Sequence, residues 1–301
     1  MPSTLSRSLV RWSLRIAGGL VTMIVLALAG VYAVSQHKLS RRFDVPRHSI
    51  VVRSDSSTIA RGAHLAQVRA CVACHGQGFV GHVEMDNLLL GRLAGPNLTK
   101  GGRGAELTDA DWERAVRHGV RRDGRPLLIM PALEHTGMSD EDLASIVAYV
   151  RSLPASPNTP PKTRAGPIIR AMYIGGKVPL ISAEEIDHTR PHPERVAAEP
   201  TARYGEYLVG MCKGCHGPNL SGGKIPGGPP EWKPAANITP GGIGHYTERD
   251  FVRALRTGLR PDGSKIDPQM PWEVLGKMDD VELRALYSYL RSLQPRLYGN
   301  R

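Results

Sequence analysis

Residues 58–154 and 201–294 of this 301-residue chain are two copies of one pattern. RGAHLAQVRACVACHG (61–76) matches YGEYLVGMCKGCHG (204–217), and PNLT (96–99) matches ANIT (236–239). TDADWERAVRHG (108–119) matches TERDFVRALRTG (247–258). MPALEHTGMSDEDLASIVAYVRSLP (130–154) matches MPWEVLGKMDDVELRALYSYLRSLQ (270–294). His75 to Met130 is 55 residues and His216 to Met270 is 54, so the spacing holds while the loops differ. Each copy is therefore a folding unit of about a hundred residues, and the chain must solve one packing problem twice.

Three helices are readable in each unit. The first runs into the cysteine motif. The second begins at Thr108 or Thr247, with an acid three residues on (Asp111, Asp250) as an N-terminal capping pattern, and stops at Gly119 or Gly258. The last starts at Ser139 or Asp279. Its apolar positions Leu143, Ile146, Val147 and Val150 recur at helical spacing, as do Leu283, Leu286, Tyr287 and Leu290. Gly62 and Gly205 match on the first helix, and Tyr149 and Tyr289 match on the last, so the glycines are expected to admit the aromatic residue of a crossing helix or merely to start their own. No alternating run predicts a strand longer than a few residues. About thirty Gly/Pro-rich residues separate each motif from the second helix, a loop long enough to wrap around something.

All four cysteines lie in CVACH (71–75) and CKGCH (212–216), which leaves none for a disulfide framework. Thiol exchange would need a strand before the pair and no histidine. A zinc site needs four ligands, and each motif supplies three. Covalent haem attachment uses every residue: each thiol adds to a vinyl group and the adjacent histidine faces the iron. A buried macrocycle also supplies apolar bulk to a chain that is only 5% aromatic.

Candidates for the iron's other axial position are Met130, Met138, His118 and His135 in the first unit, and Met270 and Met278 in the second. His118 and His135 align with Thr257 and Leu275, and both are expected to be solvated surface residues. Met138 and Met278 precede helix caps and are expected to staple onto Leu143 and Leu283. Met130 and Met270 precede proline in irregular stretches, where a thioether can project onto a metal, so they are the preferred ligands. The histidines need a carbonyl on their other ring nitrogen. The loop near Pro96 is a candidate source, with the counterpart undecided between Ala236 and Pro234.

Ile16 to Val34 is an uncharged run of 19 residues, long enough to span a bilayer. Arg7, Arg11 and Arg15 before it predict a cytoplasmic N-terminus. Its length favours an anchor over a signal peptide cleaved near Ala29 or Ala33. The net charge is +11, of which +5 lies in the first 44 residues. No basic run is interleaved with aromatics, which argues against nucleic-acid binding. The expected organisation is a membrane anchor or signal segment (1–44), a first domain (55–154), a proline-rich linker (155–200) and a second domain (201–294).

With the CxxCH openings, the MP in a loop and the closing MSDEDLASIVAYVRSLP, residues 58–294 resemble tandem class I cytochrome c domains. The tandem is similar to the cytochrome subunits of bacterial membrane-bound alcohol, aldehyde and gluconate dehydrogenases, which typically carry three such domains where this chain has two. The resemblance implies an all-α fold: two class I cytochrome c-like domains after an N-terminal transmembrane helix. It implies two covalently bound haem c groups, one held by Cys71, Cys74, His75 and Met130, the other by Cys212, Cys215, His216 and Met270. The irons are ligated by His75 and Met130, and by His216 and Met270. The expected protein is an electron carrier without catalytic residues, anchored in the inner membrane with its haem domains in the periplasm. It passes single electrons from a periplasmic or membrane dehydrogenase or quinol donor to a respiratory acceptor. Its partner is a dehydrogenase subunit, an oxidase or a soluble cytochrome. Two alternatives from other classes stand beside this one. A haem enzyme, such as a di-haem peroxidase or thiosulfate-oxidising cytochrome, needs one displaceable axial ligand. A haem-free module would use the cysteines for zinc or thiol exchange.

Overall fold

Two capped helical units organise the chain, seen here in a computed structural model that describes residues 4–300. The first three residues of the expected 1–44 segment, and the side chains before Val10 (that of Arg7 included), lie outside the described residues. Helix α1 (Thr4–Ser40) is followed in unit one by α2 (Ser56–Val68), α3 (Cys71–His75), strands β1 (His82–Asn87) and β2 (Gly91–Gly95), α4 (Asp109–His118), α5 (Ala132–His135) and α6 (Asp140–Ser152). Strand β3 (Arg164–Ala165) and α7 (Pro167–Ile174) lie between the units. Unit two comprises α8 (Ala202–Leu208), α9 (Gly210–His216), α10 (Pro240–Ile243), α11 (Glu248–Thr257), α12 (Trp272–Leu275) and α13 (Asp280–Ser292).

The capping chemistry is as expected from the sequence. Thr108 and Asp111 exchange side chain-to-backbone bonds at the start of α4, and Thr247 and Asp250 do the same for α11. Gly119 (φ 63°) and Gly258 (φ 69°) end those helices in the left-handed region. In each unit the first helix crosses the last at the matched glycine. A Cβ at Gly62 would overlap the Ser145 carbonyl oxygen and stand 2.9 Å from Tyr149 Cβ; one at Gly205 would overlap the Ala285 carbonyl oxygen and stand 2.6 Å from Tyr289 Cβ. The glycines therefore serve backbone-to-backbone approach first, with the tyrosines beside the crossing. Met138 packs with Leu143 in the first core and Met278 with Leu283 in the second, all four buried, as staples require.

The all-α expectation needs one correction. β1, β2 and β3 form a small antiparallel sheet in that order. His82 pairs with Gly95 and Asn87 with Gly91, with an irregularity between Val83 and Met85. Nearly every β1 residue is exposed, so no face imposes the alternation by which a strand is legible. The hairpin closes locally instead: Asn87 Oδ1 accepts from Leu89 N and Leu90 N (2.8 and 2.9 Å), and Gly91 takes φ 109°. β3 comes from beyond the first unit and pairs only Arg164 and Ala165.

Residues 155–200 lie along unit one. Tyr173, Leu180, Ile181 and Ala183 join Val45 and Val120 in a third buried apolar cluster. Arg170 donates to Ser35 Oγ (2.9 Å) and stacks over Tyr32 (4.5 Å), and Lys38 pairs with Glu184 (3.4 Å), so α7 and the residues after it grip the last turns of α1. Upstream of that grip the apolar side chains of α1 are exposed, and Val10–Ser40 is long and apolar enough to cross a membrane.

The two units meet through equivalent positions. His64 on α2 matches Tyr207 on α8, and Asp142 on α6 matches Glu282 on α13. His64 Nε2 lies 2.8 Å from Glu282 Oε2, and Tyr207 donates to Asp142 Oδ2 at 2.6 Å. Each unit's first helix thus reaches the N-terminal acid of the other's last helix, the pattern of a two-fold interface inside one chain. Val68 is fully buried in the core of unit two.

Candidate functional site

Each cysteine motif follows a helix and not a strand: α2 leads into α3, and α8 into α9. Cys71, Cys212 and Cys215 are half-buried and Cys74 is exposed. Burial pushes the Cys71 thiol up to about 11 and the Cys212 thiol to about 12. Such thiols are poor thiolates, so they suit neither exchange chemistry nor a zinc site. The two carboxylate–imidazole groupings among the described residues contain no cysteine.

The loop after each motif is folded the same way. Gly81 N bonds His75 O (2.8 Å) and Gly222 N bonds His216 O (2.9 Å). Phe79 (φ 56°) and Leu220 (φ 59°) are both left-handed, a conformation that costs a side chain-bearing residue about 1–2 kcal/mol. Both side chains are 2% exposed, so core filling opposes that cost and glycine would not do. Their carbonyls accept from Leu98 N and Ile238 N, each at 2.9 Å. Asn97 and Asn237 brace the turn, each accepting from a threonine N two residues on at 3.0 Å. This explains why PNLT and ANIT recur: they present one carbonyl to each motif. Pro96 O lies 3.2 Å from His75 Nδ1, and Ala236 O lies 2.7 Å from His216 Nδ1. Nδ1 therefore carries the proton and Nε2 the lone pair, the arrangement of a metal-ligating imidazole. Burial lowers the His75 pKa, which keeps the ring neutral.

Met130 and Met270 sit in half-buried Met-Pro turns of one geometry. Pro131 has φ −79°, ψ 53° and Pro271 φ −77°, ψ 53°; Ala132 N bonds Met130 O (2.8 Å) and Trp272 N bonds Met270 O (2.7 Å). These are inverse γ-turns. Ser182 further holds Met130 O at 2.7 Å. The other proposed axial candidates fare differently. Met138 and Met278 are core residues. His118 and His135, expected at the surface, are 2% and 4% exposed. Residues 187–195 cover His118, and the inter-unit contact covers the His135 region, which a reading of one unit at a time misses.

Three residues near the motifs carried no signal in the repeat. Arg69 is 4% exposed, lies over the Tyr207 ring at 5.1 Å, and opposes the rise that burial causes at both Cys71 and Cys212. Its Nε and Nη2, with Trp112 Nε1, are buried donors lacking a partner among the described residues. Glu134 reaches from unit one to α9, where a Cβ at Gly214 would strike its Oε1. A cytochrome c domain implies haem c, and these observations fit it: an imidazole oriented by a backbone carbonyl behind each cysteine pair, and unpaired buried donors of the kind propionate carboxylates take.

Comparison with known proteins gives the same reading. Residues 57–150 match the family model described as cytochrome C oxidase, cbb3-type, subunit III, and residues 202–294 match cytochrome c. The chain is 31% identical over 277 residues to the alcohol dehydrogenase (quinone) cytochrome c subunit of Gluconacetobacter polyoxogenes, covering 80% of this chain and 57% of that one. It is 28% identical over 283 residues to the gluconate 2-dehydrogenase cytochrome c subunit of Pantoea cypripedii, covering 80% and 60%. The alignments thus span less than two thirds of these relatives. Two matches in tandem, each enclosing one CxxCH helix, make the chain a two-domain member of the cytochrome c family, similar to the cytochrome c subunits of bacterial dehydrogenases.

Proposed function

We infer that the chain carries two covalent haem c groups and relays single electrons from a dehydrogenase or quinol donor to a respiratory acceptor. The observation that carries this reading is the duplicated pairing of His75 with the Pro96 carbonyl and of His216 with the Ala236 carbonyl. Cys71, Cys74 and His75 would hold one haem with Met130, and Cys212, Cys215 and His216 the other with Met270. When bound, each haem supplies a reversible one-electron couple. The protein's part is to orient each imidazole through a backbone carbonyl and to offer a thioether from a rigid Met-Pro turn. It also brings the two units together, since α5 of the first packs on α9 of the second. His118 offers the peroxidase alternative little, because it is 2% exposed and its Nδ1 is engaged by His188 at 3.0 Å.

The partner of this chain is proposed as a dehydrogenase subunit, by similarity to proteins so named. We further propose that α1 is a retained anchor with the haem units in the periplasm. The grip of Arg170 on Tyr32, Ser35 and Gln36 supports retention, because cleavage near Ala29 or Ala33 would cut into the helix that α7 holds. Intact mass of the purified protein tests this: a mass lacking the first 29–33 residues would refute it.

The functional test is a haem count per chain with an optical carbon monoxide titration of the fully reduced protein. Two haems and no spectral response are expected. A response from one haem would identify an open iron and favour an enzyme.

A further inference from the structure

Outside the haem motifs, polar side chains converge at the end of α4, beneath residues 187–195. Asp140 N and Glu141 N bond Pro193 O and Glu194 O, both at 3.0 Å, which pins that strap across the start of α6. Beneath it Glu113 is 1% and His118 2% exposed, and the His192 side chain is 7% exposed. The matched positions on α11 are Val252 and Thr257, so this grouping belongs to unit one alone and is no part of the duplicated haem machinery.

The hydrogen bonds set the ring protons. His188 Nε2 lies 3.1 Å from the Ala183 carbonyl, which only accepts, so Nε2 carries the proton and Nδ1 a lone pair. His118 Nδ1 lies 3.0 Å from that lone pair and must donate to it. In a neutral His118 ring, Nε2 then holds a lone pair, and it faces Glu113 Oε1 at 3.2 Å. Two acceptors at that separation need an electrophile between them. His192 Nε2 stands 3.8 Å from the same oxygen, and the three atoms lie within 4.8 Å of one another. A tetrahedral ion with bonds of about 2.0–2.1 Å sets its ligands roughly 3.3 Å apart, close to the 3.2 Å and 3.8 Å seen.

Arg117 Nη2 is held by Asp140 at 2.7 Å, and its Nη1 is 3.6 Å from Glu113. His48 Nε2 lies 3.0 Å from Asp140, with its ring centroid 6.4 Å from that of His192. Two imidazoles and one carboxylate suit zinc better than the all-oxygen preference of magnesium or calcium, and the absence of sulfur disfavours copper(I).

We propose that Glu113, His118 and His192 form a zinc site that clips the 155–200 strap to α4, with His188 as the positioning residue that sets the His118 tautomer. The test uses the full-length, haem-loaded chain without an affinity tag of histidines. The protein is stripped with a chelator, equilibrated with zinc, desalted, and assayed for zinc and iron. One zinc per two haem irons is expected in the native chain, and His192→Ala, on the strap and outside both helical cores, should lose it with haem spectra unchanged. His188→Ala should weaken retention about 10–100-fold, as loss of a partner behind a ligating histidine does. Chelation should also speed proteolysis within 185–200. Native protein that retains no zinc would overturn the site and leave a protonated His118 paired with Glu113. Zinc retained equally by His192→Ala would overturn it too, as would His188→Ala with unaltered affinity. A Glu113→Val/His118→Thr variant, which copies the second unit's residues, guards against misfolding of a single replacement: it should lose zinc and keep both haems.

Discussion

Burial against the CKGCH helix pushes the Glu134 carboxyl up to about 7, from an ordinary 4.5. The folded protein keeps this proton where an unfolded chain has released it. The stability that the neutral form contributes is therefore complete below about 4.5 and is lost as pH rises through about 7. Glu134→Gln should match the native melting temperature near pH 4 and exceed it increasingly toward pH 8, by up to a few degrees, on the order of 1 kcal/mol. Parallel melting curves across that range would show that Glu134 does not hold its proton. The two methionines make the second prediction at this scale. Met130→Ala or Met270→Ala should open one iron to carbon monoxide while the cysteine thioethers retain both haems. If both variants keep the native spectra, other side chains occupy the axial positions.

At the scale of elements, the crossing of first and last helices governs each unit. A methyl at Gly205 would collide with backbone at Ala285 and with Tyr289, and neither can step aside without moving α13. Gly205→Ala is expected to destabilise unit two by about 1–3 kcal/mol, the usual cost of overpacking, with a smaller effect on unit one. Gly62→Ala should do the reverse. Denaturant unfolding followed separately at each haem's absorption distinguishes them, and an equal loss in both units would mean that they unfold as one body. The capping boxes, C-terminal glycines and stapled methionines were legible in the residues because each is a local rule of three to five positions. The β1–β2 hairpin was not, since the exposed residues of β1 write no period into the chain.

At the scale of the whole molecule, two hydrogen bonds at equivalent positions join the units, and they respond differently to pH. The bond to Glu282 raises the His64 pKa above its usual 6.5. That contribution is full below 6.5 and fades as pH climbs through the raised value. The partner bond, Tyr207 to Asp142, persists, because burial pushes the phenol up to about 12. Hydrogen exchange at residues 279–283 should therefore quicken as pH rises above 6.5 more than at 139–143, after correction for intrinsic rates. His64→Tyr, which copies Tyr207, should remove that difference. Equal quickening at both ends would show that the His64 bond does not govern the interface.

The amino-acid sequence by itself determined the duplication, the three helices of each unit, the cysteine–histidine motifs and the apolar N-terminal run. All of these are patterns in the order of residues along the chain and need no knowledge of which distant segments touch. Which carbonyl faces each histidine was half legible: Pro96 was a candidate, while the choice between Ala236 and Pro234 depended on how the loop closed over Leu220. Only the tertiary structure decided that His118 and His135 are buried, that Arg69 lies beside both motifs, and that His64 and Tyr207 exchange partners across the units. The reason is the same in each case. Burial and pairing of a polar side chain depend on which distant segment covers it, and the covering segments here, residues 187–195 and the opposite unit, lie some 70 to 220 positions away along the chain.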